Sequence, residues 1–150
     1  MAQLGSQSLA RLAGVHPDLV KLMKAAIVNT PIDFTIDQGV RTTVTQQKFY
    51  SWGRTVLNPN TGPIKGNKLG MIVTKCDGIK KKSNHQAKAD GYGHAVDLYP
   101  YYDGKIHYGD DASLKIIAKH IKAIARNLNI NINWGGDWRD PYDPAHFELK

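Results

Sequence analysis

The stretch "KKSNHQAKADGYGHAVDLYP", residues 81–100, carries two histidines, two aspartates and two glycines. It is either a polar loop running into an ordinary strand or half of a metal site. Its second half, continued as "GHAVDLYPYY" over 93–102, reads as a strand with apolar Ala95 and Val96 among polar positions. Strand geometry then separates the two histidines. Residues at odd separation point to opposite faces, so His94 and Asp97 diverge if 94–97 are extended. His85 precedes the Gly-rich turn and is free to fold back toward Asp97.

The second polar cluster is "NWGGDWRDPYDPAHFELK", residues 133–150. Three aspartates and one histidine stand beside two tryptophans, more carboxylates than packing alone requires. Trp134 and Trp138 are equally readable as core. Asp143 and Glu148 both lie near His146, Glu148 on the same strand face. Zinc hydrolases use three N or O ligands and leave a fourth position open. His85, Asp97, Asp143 and His146 are the candidates, with His94 competing for the place of His85. His16, His107 and His120 read as structural, because neither helix carrying His16 or His120 offers a suitable carboxylate.

Around these clusters the pattern mixes helices and short strands without strict βαβ alternation. Helices are predicted over 6–14, with Ser8 as cap and Gly14 as stop, and over 16–30, with Leu19, Leu22, Met23, Ala26 and Ile27 on one face. A third covers 43–54. The clearest covers 111–129, capped by Asp111 and buried along Leu114, Ile117, Ile121, Ile124 and Leu128. Strands are predicted over 32–39, 70–75, 93–102, 104–108, 130–136 and 145–150, and a long loop over 57–70. Such a pattern implies an α+β domain with a small, mainly antiparallel sheet and flanking helices.

Composition excludes several classes. The 150 residues suit one domain, 1–150, with no room for a separate wall-binding domain, and 41% are hydrophobic. No apolar run can span a bilayer. The N-terminus lacks the basic and apolar regions of a signal peptide, which predicts a cytoplasmic product. Cys76 is the only cysteine, so no intramolecular disulfide forms, and its polar surroundings make it a bystander. The net charge of +7 and pI of about 9.5 favour polyanionic partners, including an anionic cell envelope. The densest basic cluster is "GIKKKSNH". No helix-turn-helix, zinc-finger or stacking signature supports nucleic-acid binding.

"S83-N-H85…G93-H-A95-V-D97" and "D143-P-A-H146" resemble the signatures of the zinc D-Ala-D-Ala carboxypeptidase / L-alanyl-D-glutamate endopeptidase family. "WGGDW" resembles its phage endolysin branch, and "G39-V-R41-T…Q46" its arginine segment. The motifs agree in order from about Thr35 to the end. One departure is "QAKADGY", 86–92, which lengthens the usual spacing between the histidine and glycine of the first motif. The resemblance implies a hedgehog/DD-peptidase-like fold and one Zn2+ per chain on His85, Asp97 and His146. It further implies Asp143 as general base, with Glu148 its rival, and Arg41 on the oxyanion or a substrate carboxylate. Ser83, Gln46, His94, Asp137 and Trp138 would contact substrate, Ser83 alternatively bracing the His85 loop.

The function so implied is a monomeric phage endolysin hydrolysing the L-Ala–D-Glu bond of peptidoglycan stem peptides. It would be made in the host cytoplasm and reach the periplasmic wall after holin release. A D-Ala-D-Ala carboxypeptidase is the alternative within the class, and a non-catalytic wall-binding module the alternative outside it.

Overall fold

A computed structural model describes residues 2–56 and 72–150. Four helices, α1 (Ser6–Arg11), α2 (Pro17–Ala26), α3 (Thr43–Ser51) and α4 (Asp111–Leu128), accompany five strands. These are β1 (Phe34–Gln38), β2 (Ala95–Tyr102), β3 (Lys105–Ile106), β4 (Ile132–Trp134) and β5 (His146–Leu149). All pairings are antiparallel, in the order β1-β2-β5-β4, with β3 added at the far end of β2. The fold is α+β. The loop expected over 57–70 lies outside the described residues.

One face of the sheet is apolar because the strands alternate. Phe34 and Ile36 of β1, Val96 and Leu98 of β2, and Phe147 of β5 are buried in one cluster. Helices α2 and α4 pack on each other, and α4 packs on β2 and β4. From α2 come Leu19, Leu22, Met23 and Ala26, and from α4 Leu114, Ile117, Ala118, Ile121 and Ala125. Ile124 and Leu128, expected in the buried stripe, only flank the core. His120 Nε2 meets the Ala26 carbonyl at 2.8 Å and ties the two helices together, the structural part expected of it. Trp134 is core as well, and its Nε1–H donates to the Pro144 carbonyl at 2.8 Å.

Three local expectations change. Ser8 does not cap α1, since Gly5 holds that position. Ser8 is buried inside the helix, where its hydroxyl accepts the Ile36 N–H at 3.0 Å and bonds Thr35, fastening α1 to β1. The cap of α4 is Asp110, one residue earlier than expected, which accepts the Ser113 N–H at 3.0 Å. The strand expected over 70–75 is not formed among its described residues, 72–75. There Thr74 turns its hydroxyl to the Cys76 N–H and its carbonyl to Arg54, which removes the groups a ladder would need.

Ile117 lies at the centre of the helix–sheet contact with no exposure. Ile117→Ala is expected to cost about 2–5 kcal/mol of stability, read as a lower urea midpoint with the slope unchanged.

Candidate active site

The opposite face of the sheet is polar along one line. Asp97 is paired with His146 of β5 on one side and with Gln38 of β1 on the other, where a bulge follows Ile36. The same alternation that sends Val96, Leu98 and Phe147 into the core sends Asp97 and His146 together to the far side.

His85 reaches this pair from the loop before β2. Its Nδ1 meets the Gly39 carbonyl at 2.9 Å, which sets that nitrogen as the donor and leaves Nε2 its lone pair. The close approach depends on glycines: a Cβ at Gly93 would stand 2.8 Å from the His85 carbonyl, and one at Gly39 1.9 Å from the Arg11 carbonyl. The Arg41 N–H holds the His85 carbonyl at 2.8 Å, and Ser83 Oγ accepts the His85 N–H at 3.2 Å. Gln86, buried and unremarked in the sequence, fastens the loop by accepting the Ser83 N–H and donating to Gly78 O.

Three donor atoms therefore converge. His85 Nε2 and His146 Nδ1 are 3.2 Å apart, His85 Nε2 and Asp97 Oδ1 3.3 Å, and His146 Nδ1 and Asp97 Oδ1 3.2 Å. The edge of a tetrahedron with zinc-ligand bonds of about 2.0–2.1 Å is about 3.3–3.4 Å. The donor set and its spacing fit a divalent metal ion with one position open.

Supporting groups fix each donor. His146 Nε2 contacts Glu148 Oε1 at 2.7 Å, and Glu148 Oε2 accepts from Asn84 Nδ2 at 2.8 Å. Glu148 thus faces the back of the His146 ring, away from the donor atoms. Arg41 Nη2 lies 3.6 Å from Asp97 Oδ2. Its guanidinium is held by Gln38 and Gln46 and sits over the Phe49 ring at 4.7 Å. Gln46, expected to touch substrate, is fully buried between Arg41 and the Cys76 carbonyl, so it acts on Arg41 instead. Gln38 was not singled out from the sequence; its pairing opposite Asp97 was the missing clue.

Asp143 stands at the rim, its Oδ2 4.0 Å from His146 Nδ1 on the donor side. It is placed by "WGG". Asp143 N–H donates to the Gly135 carbonyl at 3.0 Å, and a Cβ at Gly135 would sit 2.1 Å from the Asp143 carbonyl. Trp138 tilts over His146 at 5.1 Å between ring centres. Trp138 and Asp137 also line a cleft of about 470 Å³ with Lys122, Trp134 and Lys150. His94 is not part of this arrangement: its Nε2 is 2.6 Å from Asp90 and its ring faces His16.

The charges are interlocked. Burial alone would raise the Asp97 carboxyl, yet His85 and His146 hold it well below the usual range. Desolvation works against the His146 cation, but its bonds to Asp97 and Glu148 prevail and raise it to about 9. Asp143 is pushed up to about 6 by desolvation and the Asp97 charge, against the pull of His146, His85 and Arg41.

A metal-capable His–Asp–His face on an antiparallel sheet, with a carboxylate at its rim, defines a metallopeptidase-like site. Residues 1–88 match the phage L-alanyl-D-glutamate peptidase family, and residues 77–149 match the D-alanyl-D-alanine carboxypeptidase family. The L-alanyl-D-glutamate peptidase of Escherichia phage T5 is 28% identical, over 98% of this chain and 97% of its own. The peptidoglycan L-alanyl-D-glutamate endopeptidase CwlK of Bacillus subtilis is 31% identical, over 99% and 81%. The crystal structure of the Serratia marcescens L-Ala D-Glu endopeptidase ChiX superposes with a TM-score of 0.72 at 25% identity, covering 99% of this chain and 90% of that one. The chain belongs to the L-alanyl-D-glutamate peptidase family and is a peptidase.

In the metal-free protein His146 is expected to titrate near 9, and Glu148→Gln to lower that value, both followed by imidazole NMR. Because the folded value lies above the ordinary 6.5, this contribution to stability is complete below about pH 6.5 and is lost as pH rises through about 9. Denaturant midpoints of the metal-free chain across that window check it.

Proposed function

We propose that the chain is a phage endolysin, a zinc peptidase that hydrolyses the L-Ala–D-Glu bond of peptidoglycan stem peptides. The observation that carries this reading is the convergence of His85 Nε2, Asp97 Oδ1 and His146 Nδ1 at 3.2–3.3 Å with Asp143 at their rim. The relatives named for this bond support the choice of substrate.

These three atoms are the zinc ligands in this reading. The chemistry a zinc ion supplies there is Lewis acidity, which polarises the scissile carbonyl and makes the attacking water more acidic. Asp143 takes the proton from that water and hands it to the departing amine of D-Glu. The Asp143 carboxylate stands on the donor side of the cluster, where it can reach a water held there. Arg41 neutralises Asp97 and, with its other N–H groups on Gln38 and Gln46, keeps one Nη1–H for the oxyanion or a substrate carboxylate. Trp138, whose ring stands 5.1 Å from that of His146, is the aromatic side chain beside the site, whereas Asp137 pairs with Lys122 at 2.7 Å in the neighbouring cleft; Ser83 holds the His85 loop.

The protein acts as a single-domain monomer in this reading. It is made in the host cytoplasm and released to the periplasmic wall through a holin. Its charge of +7 draws it to the anionic envelope. Among the described residues no helix is long and apolar enough to cross a membrane. A D-Ala-D-Ala carboxypeptidase is the second reading, favoured by the match of residues 77–149.

Mass analysis of digested peptidoglycan separates the two: new L-Ala carboxyl and D-Glu amino termini are expected, whereas release of D-Ala alone would give the second reading. Chelation is expected to stop the reaction and added zinc to restore it. Asp143→Ala is expected to keep fold and metal and to lower turnover about 10²–10⁴-fold. His85→Ala is expected to lose both the ion at this cluster and lysis.

A further inference from the structure

A second group of metal-ligating side chains lies outside the peptidase site. His16, Asp90 and His94 each offer a donor atom, all within 4.8 Å of one another. His94 Nε2 is 2.6 Å from Asp90 Oδ2. The His16 and His94 rings meet edge to face at 5.0 Å, and the Tyr92 ring stands 5.7 Å from His16. From the sequence His16 was set aside as a helix residue without a carboxylate partner. The fold brings one from 74 positions away (90 − 16), on the segment "QAKADGY" that lengthens the first motif.

The backbone that carries these side chains is fastened. Gly93 N–H donates to Gly14 O at 3.0 Å, His16 N–H to Gly93 O at 2.9 Å, and His94 N–H to Asn84 O at 2.8 Å. Within the loop, Lys88 N–H donates to Tyr92 O and Gly91 N–H to Lys88 O, both at 2.9 Å, and Asp90 Oδ1 accepts the Tyr92 N–H at 3.0 Å. The histidine backbones are therefore set while the side chains stay reachable: His94 is 20% exposed and Asp90 40%. His94 has the parity of Val96 and Leu98, opposite to Asp97, so the two clusters do not share a ligand.

We propose that His16, Asp90 and His94 form a second site for a divalent transition metal, tying the lengthened loop to the corner between α1 and α2. Two imidazoles and one carboxylate suit zinc, nickel or cobalt and are a poor set for calcium or magnesium, which take oxygen ligands. Any adjustment of the donor atoms to the spacing of a bound ion takes side-chain rotation, which the exposed Asp90 can supply. His16 Nδ1 now accepts the Asp18 N–H at 3.1 Å. An ion bound here stiffens the segment that runs back to His85.

The site is independent of the catalytic reading, and zinc titration of the metal-free full chain separates them. Wild type is expected to bind about two zinc ions per chain, one at each cluster. Asp97→Ala keeps the ion at His16, Asp90 and His94. Asp90→Asn and His16→Ala keep the catalytic ion and peptidoglycan hydrolysis but lose the other, together with the rise in Tm it confers. Asp90→Asn is the decisive variant, because it retains the fold and the helix cap. One zinc in wild type, lost in Asp97→Ala and kept in Asp90→Asn, overturns the proposal. One zinc lost in Asp90→Asn and kept in Asp97→Ala upholds it and overturns the catalytic reading instead.

Discussion

The pairing of Asp97 with His146 across β2 and β5 is the constraint on which the rest depends. A strand has two faces and one period, so a register that sets these two side by side also sets Val96 opposite Phe147 in the core. Chemistry and hydrophobic burial are thus enforced by the same hydrogen bonds. A slip of one residue would bury a carboxylate and an imidazole and expose Phe147, which burial energies of about 1.5–3 kcal/mol per large apolar side chain oppose. The helices α2 and α4 hold the site without touching it, by making that register the only one with a core.

The other site groups come from loops, and close backbone contact replaces strand pairing there. His85 is fixed by the Gly39 carbonyl on its ring and the Arg41 N–H on its own carbonyl. Asp143 is fixed by the Gly135 carbonyl, and Gly136 is needed because a Cβ there would enter the Trp134 ring at 2.1 Å. Buried glutamines complete the support: Gln86 under the His85 loop and Gln46 behind Arg41. Such fully bonded polar groups hold one geometry, which a site made of loop residues requires.

Much of this was legible in the sequence where periodicity or motif spacing carried it. The faces of α2 and α4, the strand of Asp97 and the α+β class follow from alternation and helical spacing. The orientation of His146 by Glu148 was half visible, since positions two apart on a strand share a face, but only the bond to the far ring nitrogen separates a positioning carboxylate from a base. Gln46 was misread because no local pattern shows that a polar residue on a helix is enclosed. Residues 72–75 were misread because β-branched Ile72, Val73 and Thr74 favour a strand, while side-chain and carbonyl bonds to Gln46, Arg54 and Cys76 give the chain another course. The partnership of His16 with Asp90 and His94 depends on a contact between distant segments, which spacing along the chain cannot express.

The closed set of opposite charges around Asp97 has a further consequence. Arg41 and the protonated His146 neutralise Asp97, and Glu148 in turn answers His146. Two cations thus answer two carboxylates among these four side chains, with Asp143 at the rim beside them. In the proposed zinc site, uptake of the ion would therefore be an exchange in which the His146 proton leaves as the cation enters.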